Sequence, residues 1–346
     1  MYSEPQFSQA LLSWPFFNAL DNRVLSYNLL VALSLCLSAF GAHLFLRELI
    51  GSSSAAFVGA MVYAFSCYSF SQLARSQLVS LQWMPLALLY LHRFFARDRA
   101  TPLMGFVLFS VLLGLACFYY LQFYLVALAV IVPAYLWVYR SWRKPGAMAW
   151  LGVSFALIAA PLMAAAAPYF RLFQRYGFTG QADSYDLIRF FQPPAGSLLY
   201  GAFDPPPSSL DQFLGFFALG LGGLGVWSLV RSRREVRWVG VAWILLGGVS
   251  FFLAAGPEVI VNGERLLPGP YRILQLVKPL GNLRDPHRFA VLTRLSLSLL
   301  VAAGAARLVA GSSARRRALT SALLAGLIVA EQWTPRHTRG TEIPVG

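Results

Sequence analysis

Long apolar runs recur along this chain, separated by short connections in which arginine is the commonest charge. About 20 apolar residues as α-helix span the roughly 30 Å hydrocarbon core of a bilayer. Lipid offers no hydrogen bonds, so helices or closed barrels are the only backbones that satisfy themselves there. The pattern therefore predicts an all-α, polytopic integral membrane protein of about ten transmembrane helices. The segments expected to cross are 24–46, 54–72, 78–95, 101–118, 119–139, 147–167, 211–230, 237–255, 288–310 and 317–333. Composition agrees: 58% of the 346 residues are hydrophobic and 12% charged, against roughly 25% charged in soluble domains.

The net charge of +14 first suggests nucleic acid, but the charges fall in short clusters rather than along one continuous face, so no nucleic-acid partner is expected. Arg97-Asp98-Arg99, the stretch 140–144, the stretch 231–237 and Arg315-Arg316-Arg317 are such clusters. More than half of the 28 Lys and Arg lie in connections that share one side if Arg47 faces the cytoplasm. This is the positive-inside pattern. It predicts that the long loops, 168–210 and 256–287, lie on the outer side of the membrane. Residues 1–23 then form an outer interfacial segment and 334–346 an outer tail, flanking a helical domain at 24–333. Phe7, Leu11, Leu12, Trp14, Phe16 and Phe17, spaced by polar residues, suit a helix lying in the interface. The first residues lack the basic and apolar regions of a cleavable signal.

Local features add detail. The segments at 101–118 and 119–139 have almost no loop between them, which predicts a broken or tightly turned helix at Phe118-Tyr119-Tyr120. The glycines from Gly220 to Gly225 lie inside an apolar run and point to close helix packing. Arg294 falls near the outer end of its helix, where snorkelling relieves much of the roughly 2.5–3.5 kcal/mol that a mid-bilayer charge costs. Cys36, Cys67 and Cys117 show no paired spacing, and His43, His92, His287 and His337 no metal-ligand spacing, so neither a disulfide framework nor a histidine metal site is expected. No nucleotide or flavin motif occurs.

Outward arginines oppose the positive-inside bias. Arg272, Lys278, Arg284 and Arg288 fall close together in the second long loop, and Arg75 lies on another outward connection. Either they bind a lipid phosphate at the outer face, where Arg offers a planar fork of donors, or they meet headgroups and the acids Asp285 and Glu264. The outer acids Glu4, Asp183, Asp186, Asp204, Asp211, Glu258, Glu264 and Asp285 include no evident general base. Glu4, beside the interfacial helix, has a slight edge as the catalytic candidate.

Several stretches together resemble a known family: Tyr27-Asn28-Leu29-Leu30, Leu46-Arg47-Glu48-Leu49, Gln82-Trp83-Met84-Pro85-Leu86, Val261-Asn262-Gly263, Pro270-Tyr271-Arg272 and Leu283-Arg284-Asp285-Pro286-His287-Arg288-Phe289. The chain is similar to the GT-C superfamily of membrane glycosyltransferases. That resemblance implies transfer of a sugar from a polyprenyl-phosphate donor on the outer side, with Arg284 and Arg288 matching a basic pair that holds the lipid phosphate. It also implies a catalytic Asp in the first outer loop, with room for a divalent metal. This chain starts partway along that loop, at Tyr2-Ser3-Glu4-Pro5, without a counterpart of that Asp, and is expected to lack the family's first helix and its C-terminal outer domain. Readings from other classes are a transporter or flippase for a lipid-linked or anionic solute, and a non-catalytic accessory of cell-envelope glycosylation. Helix interiors nearly free of charge, with no evident repeat, weigh against transport.

Overall fold

The computed structural model describes residues 6–176, 182–194, 196–201, 212–277 and 283–333. It is mostly helical. The chain runs through α1 (Phe7–Ala19), α2 (Arg23–Ile50), α3 (Ser53–Ala64), the short α4 (Cys67–Ser71) and α5 (Ser76–Val79), α6 (Trp83–Arg97), α7 (Pro102–Ala116), α8 (Phe118–Val138) and α9 (Pro145–Tyr176). After the first long loop come α10 (Phe216–Val230), α11 (Arg234–Ala254), a hairpin of β1 (Glu258–Val261) and β2 (Glu264–Pro268), α12 (Tyr271–Gln275), α13 (Ala290–Leu308) and α14 (Ala314–Gln332). Each predicted apolar segment has a helical counterpart. Among the described residues, however, six helices are long and apolar enough to cross a membrane: α2, α3 continued through α4, α8, α9, α11 and α13 with its preceding turn. α7 and α10 are apolar but shorter. The expected count of about ten is thus reduced to six. The helix formed by the apolar run at 78–95, α6, is only 15 residues long, and the first turn of α14 carries Arg315-Arg316-Arg317.

The hairpin corrects the all-α expectation. Asn262 and Gly263 both adopt positive φ, 55° and 82°, which suits the two-residue turn of a tight hairpin and the Asn-Gly pair that occupies it. The Asp186 carboxylate accepts the amides of Asn262 (3.0 Å) and Gly263 (2.7 Å) and, within its own turn, that of Ile188. Tyr185 N–H donates to the Ala255 carbonyl and Asp183 N–H to that of Arg284. Through these bonds the two long loops form a single layer over one end of the bundle, the hairpin end. The opposite, basic end carries the arginine-rich connections.

α13 is the axis of the bundle, buried on nearly every side. Glycines set how closely its neighbours approach. A Cβ on Gly225 of α10 would overlap the Leu300 carbonyl, one on Gly304 the Leu221 carbonyl, and one on Gly59 of α3 the Ser298 carbonyl. Gly220 and Gly223 meet nothing within 4 Å, so close packing uses part of the glycine run and not all of it. Small residues at helix contacts are the usual device where lipid surrounds a bundle. Large apolar side chains cover the outside, among them Phe40, Met104, Leu108, Leu157 and Met163.

α1 is amphipathic in reverse. Phe7, Leu11, Trp14 and Phe17 are exposed, while Ser8, Gln9 and Ser13 are buried. Gln9 Nε2 donates to the Ala116 carbonyl, and Trp83 Nε1 donates to Ser8 Oγ. The exposed side of α1 is thus its apolar side, and its polar side packs against the bundle.

Candidate functional site

The hairpin end holds the largest concentration of buried charge and aromatic rings, and breaks in helices create it. Helix α7 stops at Cys117, whose backbone is extended (φ −158°, ψ 117°), and α8 begins at once. The break lies one residue before the predicted Phe118-Tyr119-Tyr120 and turns Tyr119 and Tyr120 toward the loop layer. α3 likewise ends at Phe65, and Ser66 caps α4 by accepting the Ser69 amide. This re-entry brings Tyr68, Gln72 and Arg75 to the same region. A turn of 3-10 helix, Pro286–Phe289, then feeds into α13 and delivers His287, Arg288 and, two turns on, Arg294.

Arg288 and Arg294 are 8% and 2% exposed. The Arg288 guanidinium pairs with Asp285 at 2.7 Å and lies 4.8 Å from the centroid of the Tyr119 ring. Arg294 Nη1 donates to Gln212 Oε1 at 2.7 Å, and its guanidinium lies 5.2 Å from the Tyr68 ring. The Tyr68 and Tyr120 hydroxyls are 3.3 Å apart, and Tyr120 donates in turn to the Leu78 carbonyl. Tyr68 therefore donates to Tyr120, and it sits in the fields of both guanidiniums. His287 is 3% exposed and packs against Tyr185 with ring centroids 5.3 Å apart.

The balance of donors and acceptors here is unequal. Arg288 Nε and Arg294 Nε and Nη2 are buried without a hydrogen-bond acceptor, apart from the Cys67 sulfur beside Arg294, a weak acceptor at best. His287 Nε2 is also unmatched. Among the described residues one carboxylate, Asp285, pairs in this cluster, and it pairs with Arg288. Burying an unpaired charge costs several kcal/mol, and a phosphate oxygen beside these donors would remove much of that cost through short, charge-assisted bonds. The arrangement can hold an anion.

The five arginines and lysines expected to bind phosphate separate in the structure. Arg288 lies within the buried cluster, while Arg75 is exposed and donates from Nη1 to Gln72 Oε1 at 3.2 Å. Arg272 is turned away: its Nε donates to the Pro257 carbonyl, and its guanidinium lies 3.6 Å from Glu258, which also pairs with Arg265 at 3.0 Å. The Arg284 side chain is exposed, while its carbonyl accepts the Asp183 amide. Lys278 lies outside the described residues, as do Glu4, Asp204 and Asp211. Arg294 does not snorkel. It is buried because Tyr68 of the α4 re-entry and Gln212 of the first loop close over it at the start of α13.

Of the remaining acids, Asp186 holds the hairpin turn. Glu331, fully buried at the end of α14, accepts the Phe216 and Phe217 amides and the Tyr200 hydroxyl, so it caps α10 from another helix. Its neighbour Gln332 accepts the Cys67 amide at 3.0 Å. Tyr271, buried beneath the site, both accepts the Leu283 amide (3.1 Å) and donates to the Leu283 carbonyl (3.4 Å). Burial pushes its phenol up to about 12, with the Leu283 amide opposing. Among the described residues no group of three or more His, Cys, Asp or Glu side chains is gathered so as to hold a metal.

Residues 7–333 match a family described as Domain of unknown function (DUF6311), and the chain belongs to it. No curated protein and no solved structure matches the chain.

Proposed function

We propose that this member of the DUF6311 family binds a polyprenyl phosphate at the hairpin end and acts there as a GT-C-like transferase of the sugar that the lipid carries. The observation that supports the reading is the set of unmatched guanidinium donors on buried Arg288 and Arg294, with Asp285 the one acid paired in the cluster among the described residues. A phosphate diester or monoester supplies oxygens for such donors, and Arg75 at the exposed edge adds a third positive charge. Tyr119 and Tyr68, stacked on the two guanidiniums, hold their planes in place. The exposed apolar face of α1 offers a surface along which a polyprenyl chain can run. On this reading the hairpin end faces outward and the basic end the cytoplasm, in a bacterial inner membrane, with α6, α7, α10 and α14 completing a ten-helix bundle.

Arg288, held by Asp285 and Tyr119, orients the phosphate leaving group and stabilises the charge that develops on it. Asp285 positions Arg288 and is not free to serve as a base. The acceptor's proton has no assigned base here, and the described residues offer no ligand set for a divalent metal. One observation favours a second reading, a non-catalytic accessory that binds the lipid: the described acids Asp186, Glu258, Asp285 and Glu331 are each engaged in structural bonds.

Arg288→Gln and Arg75→Gln test the site by retention of a polyprenyl phosphate on the purified protein. Arg288→Gln should weaken retention by at least about tenfold, the effect of losing a charge-assisted bond, and Arg75→Gln by less. Unchanged retention in a folded Arg288→Gln protein excludes the site. Sugar release from a polyprenyl-phosphate-sugar donor by the wild type separates transferase from accessory.

A further inference from the structure

A groove at the basic end, independent of the function proposed for the hairpin end, lies between the end of α6 and the starts of α7 and α9. Its volume is about 520 Å³. Buried Phe94 and exposed Trp150 line it together with Asp98, Arg99, Arg143 and Lys144.

The charges of this lining do not balance. Asp98, the one acid in it among the described residues, is taken by Lys144 at 2.5 Å. Among the described residues neither Arg99 nor Arg143 pairs with an acid. The Arg143 guanidinium lies 4.7 Å from the centroid of the Trp142 ring. Stacking of that kind holds the plane and leaves the N–H edges open to an acceptor. The start of α9 and the end of α6 both border the groove, so their dipoles offset each other and the side chains set the sign.

The surroundings point to lipid as the source of the anion. Trp142 and Trp150 are exposed beside the groove, and Trp with arginine at one level suits the headgroup region of a bilayer. α7 and α9 leave the groove side by side, with the Phe106 and Phe155 rings 5.9 Å apart and Gly114 against Leu162. Met104 and Leu108 on α7, and Val153 and Leu157 on α9, are apolar and exposed. An acyl chain whose headgroup sits in the groove has an apolar surface to lie on.

We propose that this groove binds the headgroup of an anionic phospholipid, with its phosphodiester received by Arg99 and Arg143. Arginine–phosphate bonds are short and charge-assisted. A zwitterionic headgroup brings its own cation beside the two arginines and gains less.

The full chain in nanodiscs of equal phosphatidylglycerol and phosphatidylcholine is released into the gas phase, and the retained lipid is identified by mass. Phosphatidylglycerol should be retained at least about fivefold over phosphatidylcholine, the effect of one basic side chain at an anionic surface. Arg99→Gln combined with Arg143→Gln should bring the two lipids to near equality. Arg315→Gln combined with Arg316→Gln, at the same end but outside the groove, should leave the preference unchanged. Asp98→Asn, which frees Lys144, should raise it. All these positions are exposed, where substitutions rarely unfold a protein. In detergent, phosphatidylglycerol should raise the melting temperature and inorganic phosphate should not. Equal retention of the two lipids overturns the proposal, as does a fall in preference with Asp98→Asn. Equal loss in both double variants would mean diffuse attraction to a basic rim, and protection by inorganic phosphate a soluble-anion site; either result overturns it too.

Discussion

At the scale of single residues, what a side chain does is decided by the partners that reach it. Arg272 and Arg288 stand sixteen positions apart in one basic loop. Glu258 takes the first, whereas the second keeps a donor unmatched beside a single acid. Nothing in the spacing of the arginines distinguishes them, because Glu258 and Asp285 are both plausible partners until the hairpin is formed. Arg294 shows the same limit: at a helix end a charge is expected to escape toward water, and only the re-entrant α4 and Gln212 prevent it. Tyr271 provides a residue-level test. Its phenol stays neutral in the folded protein up to about 12, against 10.0 for the free group. A raised folded value favours the native state below pH 10, and that contribution is lost as pH climbs from 10 toward 12. Tyr271→Phe should remove this part of the alkaline loss and, by leaving the Leu283 amide unpaired, lower stability at neutral pH by about 1–2 kcal/mol. Melting temperatures of both proteins between pH 7 and roughly pH 11 check the sign of each effect.

At the scale of elements, apolar run length located nearly every helix, since lipid requires both apolar faces and internal hydrogen bonding. Breaks were legible where loop residues were missing, as between α7 and α8. The re-entry at α4 and α5 was not, because Ser66, Gln72 and Ser80 inside an apolar segment give no period of their own and are satisfied only by tertiary partners. The hairpin carried an Asn-Gly turn signal between Val261 and Glu264, outweighed by the helical pattern on both sides. Glycines yield a paired prediction. Gly225→Ala forces its Cβ into the Leu300 carbonyl and should destabilise the bundle by about 1–3 kcal/mol through backbone separation. Gly223→Ala, one turn face away with open space around it, should be neutral or stabilising by about 0.5–1 kcal/mol. Equal thermal shifts in one detergent would contradict close packing of α10 on α13.

At the scale of the whole molecule, the apolar belt and the two dissimilar ends describe one bundle with a charged rim. Trp137, Trp142, Trp150, Trp227 and Trp238 are all exposed near the basic end, and Arg143 and Arg231 lie over the Trp142 and Trp227 rings. Trp and arginine together at one level suit a membrane interface. If the bundle spans the bilayer with the hairpin outward, Leu266→Cys, in the exposed hairpin, should react with an impermeant thiol reagent added to intact cells, and Ala314→Cys, at the basic end, only after lysis. The reverse order would invert the protein and remove the outward phosphate site.

The most direct measurement compares two ligands on the unmodified protein: a polyprenyl phosphate and the polyprenol lacking only the phosphate. If buried Arg288 and Arg294 receive a phosphate, the phosphorylated lipid is retained and protects against thermal unfolding, while the alcohol of equal chain length does little. Equal retention of the two would mean that the chain alone is recognised, and that the guanidiniums at the end of α13 are not a phosphate site.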